Sequence, residues 1–402
     1  MRRRITTAER ENMQKLIDAY IDAHREEMVA QWEALVNLEG KADEPEAMDA
    51  VAEHLFRIFS EAGLTCRLQR AHPQAPQVLT GVIGEDRPGK PILFGGHYDT
   101  VFRKGQLGEK PFRIDGEGKA HGPGCLDMKG GIIIALYIIK ALEAAGYRQR
   151  PIRVVFCGDE EGGAYHFDAT PLITEAARGC VCAFNMETGP IDNSVCVGRK
   201  GGFIGSFSVT GVSAHSGNNF EAGRNAIVEA AHKMLDVDAL TDMEKGTHVN
   251  VAVAQGGKMW NSVPDRCDVT FSVRLAQNAE IERVLDSLDA IMAKTYIDGT
   301  TTGYQRPGKV LEVYEQTDAN LAMWAFCNRI SEENGFGKMG HVFLGGGSDA
   351  VQMAKAGTPT LCSCGVLGEW NHTDREYAVV ESLFTRTRLW CIVIPAIRDD
   401  SF

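Results

Sequence analysis

The six residues Gly158-Asp159-Glu160-Glu161-Gly162-Gly163 place adjacent carboxylates between glycines, directly after the apolar run 152–157. Such a run, bounded by turn residues, reads as a buried strand that aims the acids past its carboxyl end. Adjacent glutamates suit a divided task in a hydrolytic metal site, where one holds the metal and the other faces the attacking water. Alone, the motif reads as a solvated acidic turn, and the rest of the chain has to decide.

His97 and Asp99 follow a second short apolar strand that starts at Pro91. They face the same way if extended geometry persists for two residues. A carboxylate beside a ligand imidazole fixes its tautomer and raises its basicity, although a hydrogen-bonded His-Asp turn has the same pattern. Asp127 lies in a glycine-flanked stretch that opens an apolar helix, 132–145, ending at Gly146. Glycines there mean close backbone approach to a site, or a tight loop with Asp127 near an N-cap. Cys125 has no base tied to it and reads as a packed thiol. Glu187 ends a further strand, 180–186, and His372 precedes Thr373-x-x-Glu376. That spacing reads as a capping box opening the final helix, with His372 at its mouth.

The alternation of strands and helices puts these residues at the carboxyl ends of strands, where open α/β sheets bind ligands. Helical patterns over 7–38 and 46–62 read as packing elements. From Gly198 the pattern changes to strand 203–210, helix 223–235, strands 247–254 and 266–275, and helix 280–294. This reads as an α+β domain (198–310) inserted between a first part, 1–197, and a second part, 311–402. The returning part carries Leu344-Gly345-Gly346-Gly347-Ser348-Asp349, a turn into a helix whose amides could hold an anionic group.

Composition narrows the function classes. At 402 residues the chain exceeds one ordinary core, and 44% hydrophobic with 24% charged residues is globular. A net charge of -12, with no basic stretch beyond Arg2-Arg3-Arg4, excludes a nucleic-acid surface. The longest aliphatic run, 132–139, is too short for a membrane span, and no apolar segment of an export signal follows Arg4. Eleven cysteines, an odd number without such a signal, point to reduced thiols in a cytoplasm.

Taken in order, the Gly96-His97-Tyr98-Asp99-Thr100-Val101, Gly122-Pro123-Gly124-Cys125-Leu126-Asp127-Met128-Lys129-Gly130-Gly131 and Gly158-to-Gly163 motifs, then Glu187 and His372, resemble the M20 family of co-catalytic zinc peptidases and amidohydrolases. The resemblance spans nearly the whole chain. It implies an α/β, mixed-sheet catalytic domain with helices on both faces, plus an inserted, ferredoxin-like lid and dimerisation domain. It implies one metal on His97 and Glu187, a second on Glu161 and His372, Asp127 between them, Asp99 orienting His97, and Glu160 as general base. Two dications also match the charge of three ligand carboxylates and a hydroxide. Zinc is expected first, though the same donors accept cobalt or manganese.

In the insert, His215 of Ser213-Ala214-His215-Ser216-Gly217 matches the family histidine that reaches across a homodimer to the oxyanion. Asn261 and Arg274 match substrate contacts, with the arginine on a carboxylate, and Gly346 and Gly347 match the loop at the substrate's carboxylate end. The resemblance thus implies cleavage of an amide or peptide bond next to a free carboxylate, in a small peptide or N-acyl amino acid. Dipeptidase activity, and a non-catalytic binding protein on the same fold, are the alternatives. Members that read a glutamate side chain carry a lysine after the strand of the fourth ligand. The aligned residue here is Ser194, with Arg199-Lys200 slightly later, which argues against glutamate preference.

Overall fold

The structure is a computed structural model describing residues 7–162 and 168–402. The chain forms two compact units, one of residues up to 197 with 316–342 and 348–402, the other of 198–315 with 343–347. The second unit thus extends to Glu315 and takes in the Gly345-Gly346-Gly347 turn, which the sequence reading assigned to the returning part of the first domain.

The first unit is built on a six-stranded mixed sheet. Its order is Thr65–Arg70, Gln77–Ile83, Ile152–Cys157, Ile92–His97, Cys182–Asn185 and Thr360–Leu361. The first two pairings are antiparallel, and the remaining ones are parallel. Side chains alternate between faces along each strand. Ile92, Phe94, Val154 and Phe156 therefore enter the large core under helices Arg25–Val36, Pro45–Glu61, Gly130–Ala144 and Val380–Ala396. Leu93, Val155 and Cys157 enter the smaller core with Ile173 and Ala177 of helix Thr170–Ala177 and Met353 of Ala350–Lys355. Strands covered on both faces read as unbroken apolar runs, which is why 92–97 and 152–157 stand out in the sequence. Helix Gly130–Ala144 lies against the end of the strand before Glu187. A Cβ on Gly131 would fall 1.8 Å from the Met186 carbonyl oxygen, so only glycine permits this approach.

The second unit has the antiparallel order His248–Gly256, Arg266–Leu275, Gly201–Thr210, Thr301–Tyr304. Helices Ala226–Asp238 and Ala279–Ala293 complete a strand-helix-strand-strand-helix-strand run of ferredoxin-like connectivity. Phe203, Phe207, Val269, Phe271 and Val273 form its core with Ala230, Val284 and Leu288 of the helices. The alternate positions Ile204, Ser206 and Arg274 are exposed on the other face.

One expectation is overturned. Thr373 and Glu376 do not open the final helix: strand Tyr377–Val379 follows, and the helix begins at Val380. The Thr373 hydroxyl donates to the Trp370 carbonyl, while the Glu376 carboxylate turns inward and accepts the amides of Leu126 and Asp127. His372 therefore sits in a turn, with φ of 65°, rather than at a helix mouth.

Candidate metal centre

Three parallel strands deliver the site from their carboxyl ends. His97 ends one strand in register with Cys157 of the next, so the His97-to-Asp99 and Asp159-to-Glu161 segments emerge side by side. The third strand, Cys182–Asn185, leads to Glu187. Asp127 arrives from the five-residue turn Cys125–Lys129, whose Asp127–Met128 peptide is cis. That turn is pinned by the Trp32 indole N–H on the Cys125 carbonyl, at 3.1 Å, and by the two amides on Glu376, at 2.8 and 3.2 Å.

The fully buried Asp99 is the hub. Its Oδ2 accepts the Glu161 amide at 2.9 Å, and its Oδ1 accepts the Glu160 amide at 3.3 Å and lies 3.3 Å from His97 Nδ1. That carboxylate thus fixes the acidic turn, while the imidazole meets the Asp99 main-chain carbonyl through Nδ1 at 3.1 Å. His97 Nε2 points the other way, 3.2 Å from Asp127 Oδ1 and 3.5 Å from Glu187 Oε1. The other oxygen of Asp127, Oδ2, lies 3.3 Å from His372 Nε2, which is 3.0 Å from Glu161 Oε1. Glu160 comes no nearer to His97 Nε2 than 3.9 Å.

Donor atoms of His97, Asp127 and Glu187 lie within 4.8 Å of one another, as do those of Asp127, Glu161 and His372. A third set of the same span, His97, Glu160 and Glu161, overlaps both. Nitrogen and carboxylate donors without a thiol suit a divalent cation of the zinc, cobalt or manganese kind. The electrostatics call for positive charge. Burial pushes the Glu160 carboxyl well above its ordinary value, against His97, and the neighbouring Glu187 and Glu161 push it further. Burial and the Asp127 charge push Glu161 up to about 7. Asp127 is held well below the usual carboxylate range, burial being outweighed by hydrogen bonds from His372 and His97. The residues present therefore fit bound metal.

The second unit holds the other expected residues. His215 forms a short bridge with Ser262, and the Ser216 amide donates to the Asn261 carbonyl at 3.0 Å, so His215 and Asn261 are neighbours. The amides of Gly217 and Asn218 both donate to His215 Nδ1, at 3.1 Å each, which places the ring proton on Nε2. Arg274 is exposed on its strand. The Gly347 carbonyl accepts from Arg199 at 3.0 Å, and the helix after the glycine turn, Ala350–Lys355, starts beside the buried Asp349. Two residues escaped the sequence reading. Asn371 Nδ2 donates to Asp127 Oδ2 at 3.0 Å, and Glu376 holds the Asp127 turn. Adjacency to His372 was the signal for the first, whereas the capping-box pattern concealed the second.

The sequence profile of peptidase family M20/M25/M40 matches residues 93–395, which takes in the whole site. The chain belongs to that family. Among its relatives is carboxypeptidase G2 of Pseudomonas sp. strain RS-16, 28% identical over 372 residues, covering 87% of this chain and 84% of that one. Aminopeptidase PepT of Bacillus cereus shares the fold with a TM-score of 0.76 at 19% identity, over 92% of this chain and 98% of its own. The M20 metallo-carboxypeptidase Sso-CP2 of Sulfolobus solfataricus does so with 0.71 at 16% identity, over 92% and 100%. This M20 chain is accordingly a metal-dependent peptidase or amidohydrolase. Among the described residues no helix is long and apolar enough to cross a membrane.

Proposed function

We propose that this M20 enzyme hydrolyses an amide or peptide bond beside a free carboxylate, in a small peptide or an N-acyl amino acid. The observation that carries this is the split of Asp127, one oxygen toward His97 and Glu187, the other toward His372 and Glu161. His97, Glu187, Asp127, Glu161 and His372 would hold two divalent cations, zinc foremost. When bound, these would polarise the scissile carbonyl and acidify the attacking water. Glu160 takes the proton of that water and returns it to the leaving nitrogen. Its backbone is held by Asp99, and its side chain stands 3.9 Å from His97 Nε2. Asp99 also keeps His97 Nε2 turned toward the carboxylates.

In the insert, the Nε2–H of His215 is free of its own loop and donates to the oxyanion as the carbonyl becomes tetrahedral. Arg274 takes the substrate carboxylate as a planar fork, and Asn261, Gly346 and Gly347 complete the contacts. A second copy of the chain docks on the insert. The edge strand His248–Gly256 and the exposed Val228 and Leu235 of helix Ala226–Asp238 support this. Eleven free thiols support a cytoplasmic site of action.

A hydrolysis panel of N-acyl amino acids, dipeptides and N-aroyl glutamates, run on chelated and metal-restored protein, tests the reading. Turnover that appears only with restored metal is expected. Binding without turnover across the panel would favour a non-catalytic protein instead.

A further inference from the structure

The side chains of His97, Asp127, Glu161 and Glu187 are no more than 7% exposed, whereas that of His372 is 51% exposed. Packing holds the first four in place. His372 takes its position from the turn that carries it. That turn closes a hairpin: Gly368 pairs with Ala378 and Glu369 with Tyr377, which leaves residues 370–376 as the loop. Two residues of the loop other than glycine are left-handed, Trp370 with φ of 68° and His372 with φ of 65°. Such a backbone is costly for a bulky L-residue and persists only where surrounding contacts over-determine it.

The loop supplies those contacts itself. The Trp370 carbonyl accepts the Thr373 amide at 3.2 Å and the Thr373 hydroxyl at 2.7 Å. The Thr373 hydroxyl oxygen accepts the Arg375 amide at 3.2 Å, and the Thr373 carbonyl accepts the Glu376 amide at 3.1 Å. The Arg375 guanidinium then lies over the Trp370 ring, 4.1 Å from its centroid. The side chains thus close the loop a second time, from either side of His372. Trp370 and Arg375 are both exposed, and neither belongs to the core of the first unit, so their contact acts on the loop rather than on the fold. The loop in turn delivers two groups to one carboxylate. His372 Nε2 lies 3.3 Å from Asp127 Oδ2 and 3.0 Å from Glu161 Oε1, and Asn371 Nδ2 donates to Asp127 Oδ2 at 3.0 Å. Removing the ring or the cation takes away the side-chain contact that spans the loop, and the left-handed residues are then free to relax toward ordinary φ.

We propose that Trp370 and Arg375 form a clasp that holds His372 and Asn371 at Asp127, and that they are positioning residues for one metal position, that of His372 and Glu161. Neither supplies a donor atom. The inference rests on the reading of His372 as a metal ligand.

Calorimetric titration of the metal-free, full-length protein with zinc tests it without any need for turnover. In Trp370→Ala and in Arg375→Ala one equivalent should bind about two- to fivefold more weakly, the scale of an exposed cation–π contact, while the other binds as in wild type. The double variant should be no weaker than either single one, because both remove the same contact. Trp370→Tyr and Arg375→Lys keep a ring and a cation and should lie closer to wild type. The urea midpoint of the metal-free alanine variants should stay at the wild-type value. Unchanged binding, losses that add in the double variant, or a lowered midpoint with both equivalents weakened alike overturns the clasp. His372→Ala separates this inference from the reading beneath it. If His372→Ala loses one equivalent while Trp370→Ala binds that equivalent as wild type does, the clasp fails and the ligand reading stands. If His372→Ala still binds two equivalents as tightly as wild type, the ligand reading fails and takes the clasp with it.

Discussion

Replacing Glu376 should affect the site from beneath without touching a metal-binding atom. Its Oε1 accepts two buried amides, Leu126 N at 2.8 Å and Asp127 N at 3.2 Å, and the side chain is only 4% exposed as a residue. Glu376→Ala strands both N–H groups away from water, and an unsatisfied buried donor costs about 1–3 kcal/mol. The sum is a loss of roughly 2–6 kcal/mol, a large share of the stability of any domain. Glu376→Gln keeps a carbonyl oxygen at the same place and should lose much less. The freed turn also releases Asp127, the carboxylate shared by His97 and His372, so the alanine variant should hold metal more weakly. Urea unfolding with metal analysis on wild type and both variants measures the two effects together. Equal behaviour of Gln and Ala, or an alanine variant that unfolds at the wild-type urea concentration with its metal retained, would refute this role.

The two adjacent glutamates should separate cleanly. Glu161→Ala is expected to lose metal and activity together, because it shares His372 with Asp127, while Glu160→Ala loses activity with metal still bound. Metal analysis beside turnover checks this, and parallel metal loss in both variants would exchange or dissolve the assignment. Metal affinity should rise with pH. In the metal-free protein hydrogen bonds donated by His372 to the carboxylates of Asp127 and Glu161 push its imidazole up to about 11, and burial with the Asp127 charge pushes Glu161 up to about 7. Both groups thus hold protons near neutrality that metal must displace, and affinity falls as pH drops below about 7. Competition with a chromophoric chelator from pH 6 to 8 reads the slope, and a flat profile would contradict it.

Strand-end positions were legible because a strand buried on both faces is an apolar run, and the polar residues that end it point at whatever lies above the sheet. Runs 92–97 and 152–157 behave in that way, and their parallel register brings His97 beside the acidic turn. What could not be read is what the chain does across distance. Glu376 meets Leu126 and Asp127 some 250 residues away, and nothing local distinguishes that use of a Thr-x-x-Glu pattern from a helix cap. The left-handed turn at His372 and Trp370 has no glycine to announce it. The glycine-rich turn from Leu344 was legible as a turn, but the place of 343–347 with the insert depends on bonds from Lys200 and Arg199, made much earlier in the chain. In the insert, period-two alternation marked 203–210 and 266–275 as strands, observed as Gly201–Thr210 and Arg266–Leu275, whereas their order in the sheet came from pairing alone.

The central claim is that Asp127 joins two metal positions, and stepwise metal restoration tests it most directly. Metal-free protein is titrated with zinc while bound metal and kcat/KM are measured on the same samples. Activity that keeps rising until a second equivalent per chain has bound, with both equivalents weakened in Asp127→Asn, is the predicted result. Full activity at one equivalent, or an Asp127→Asn variant that still binds two equivalents as tightly as wild type, would contradict it.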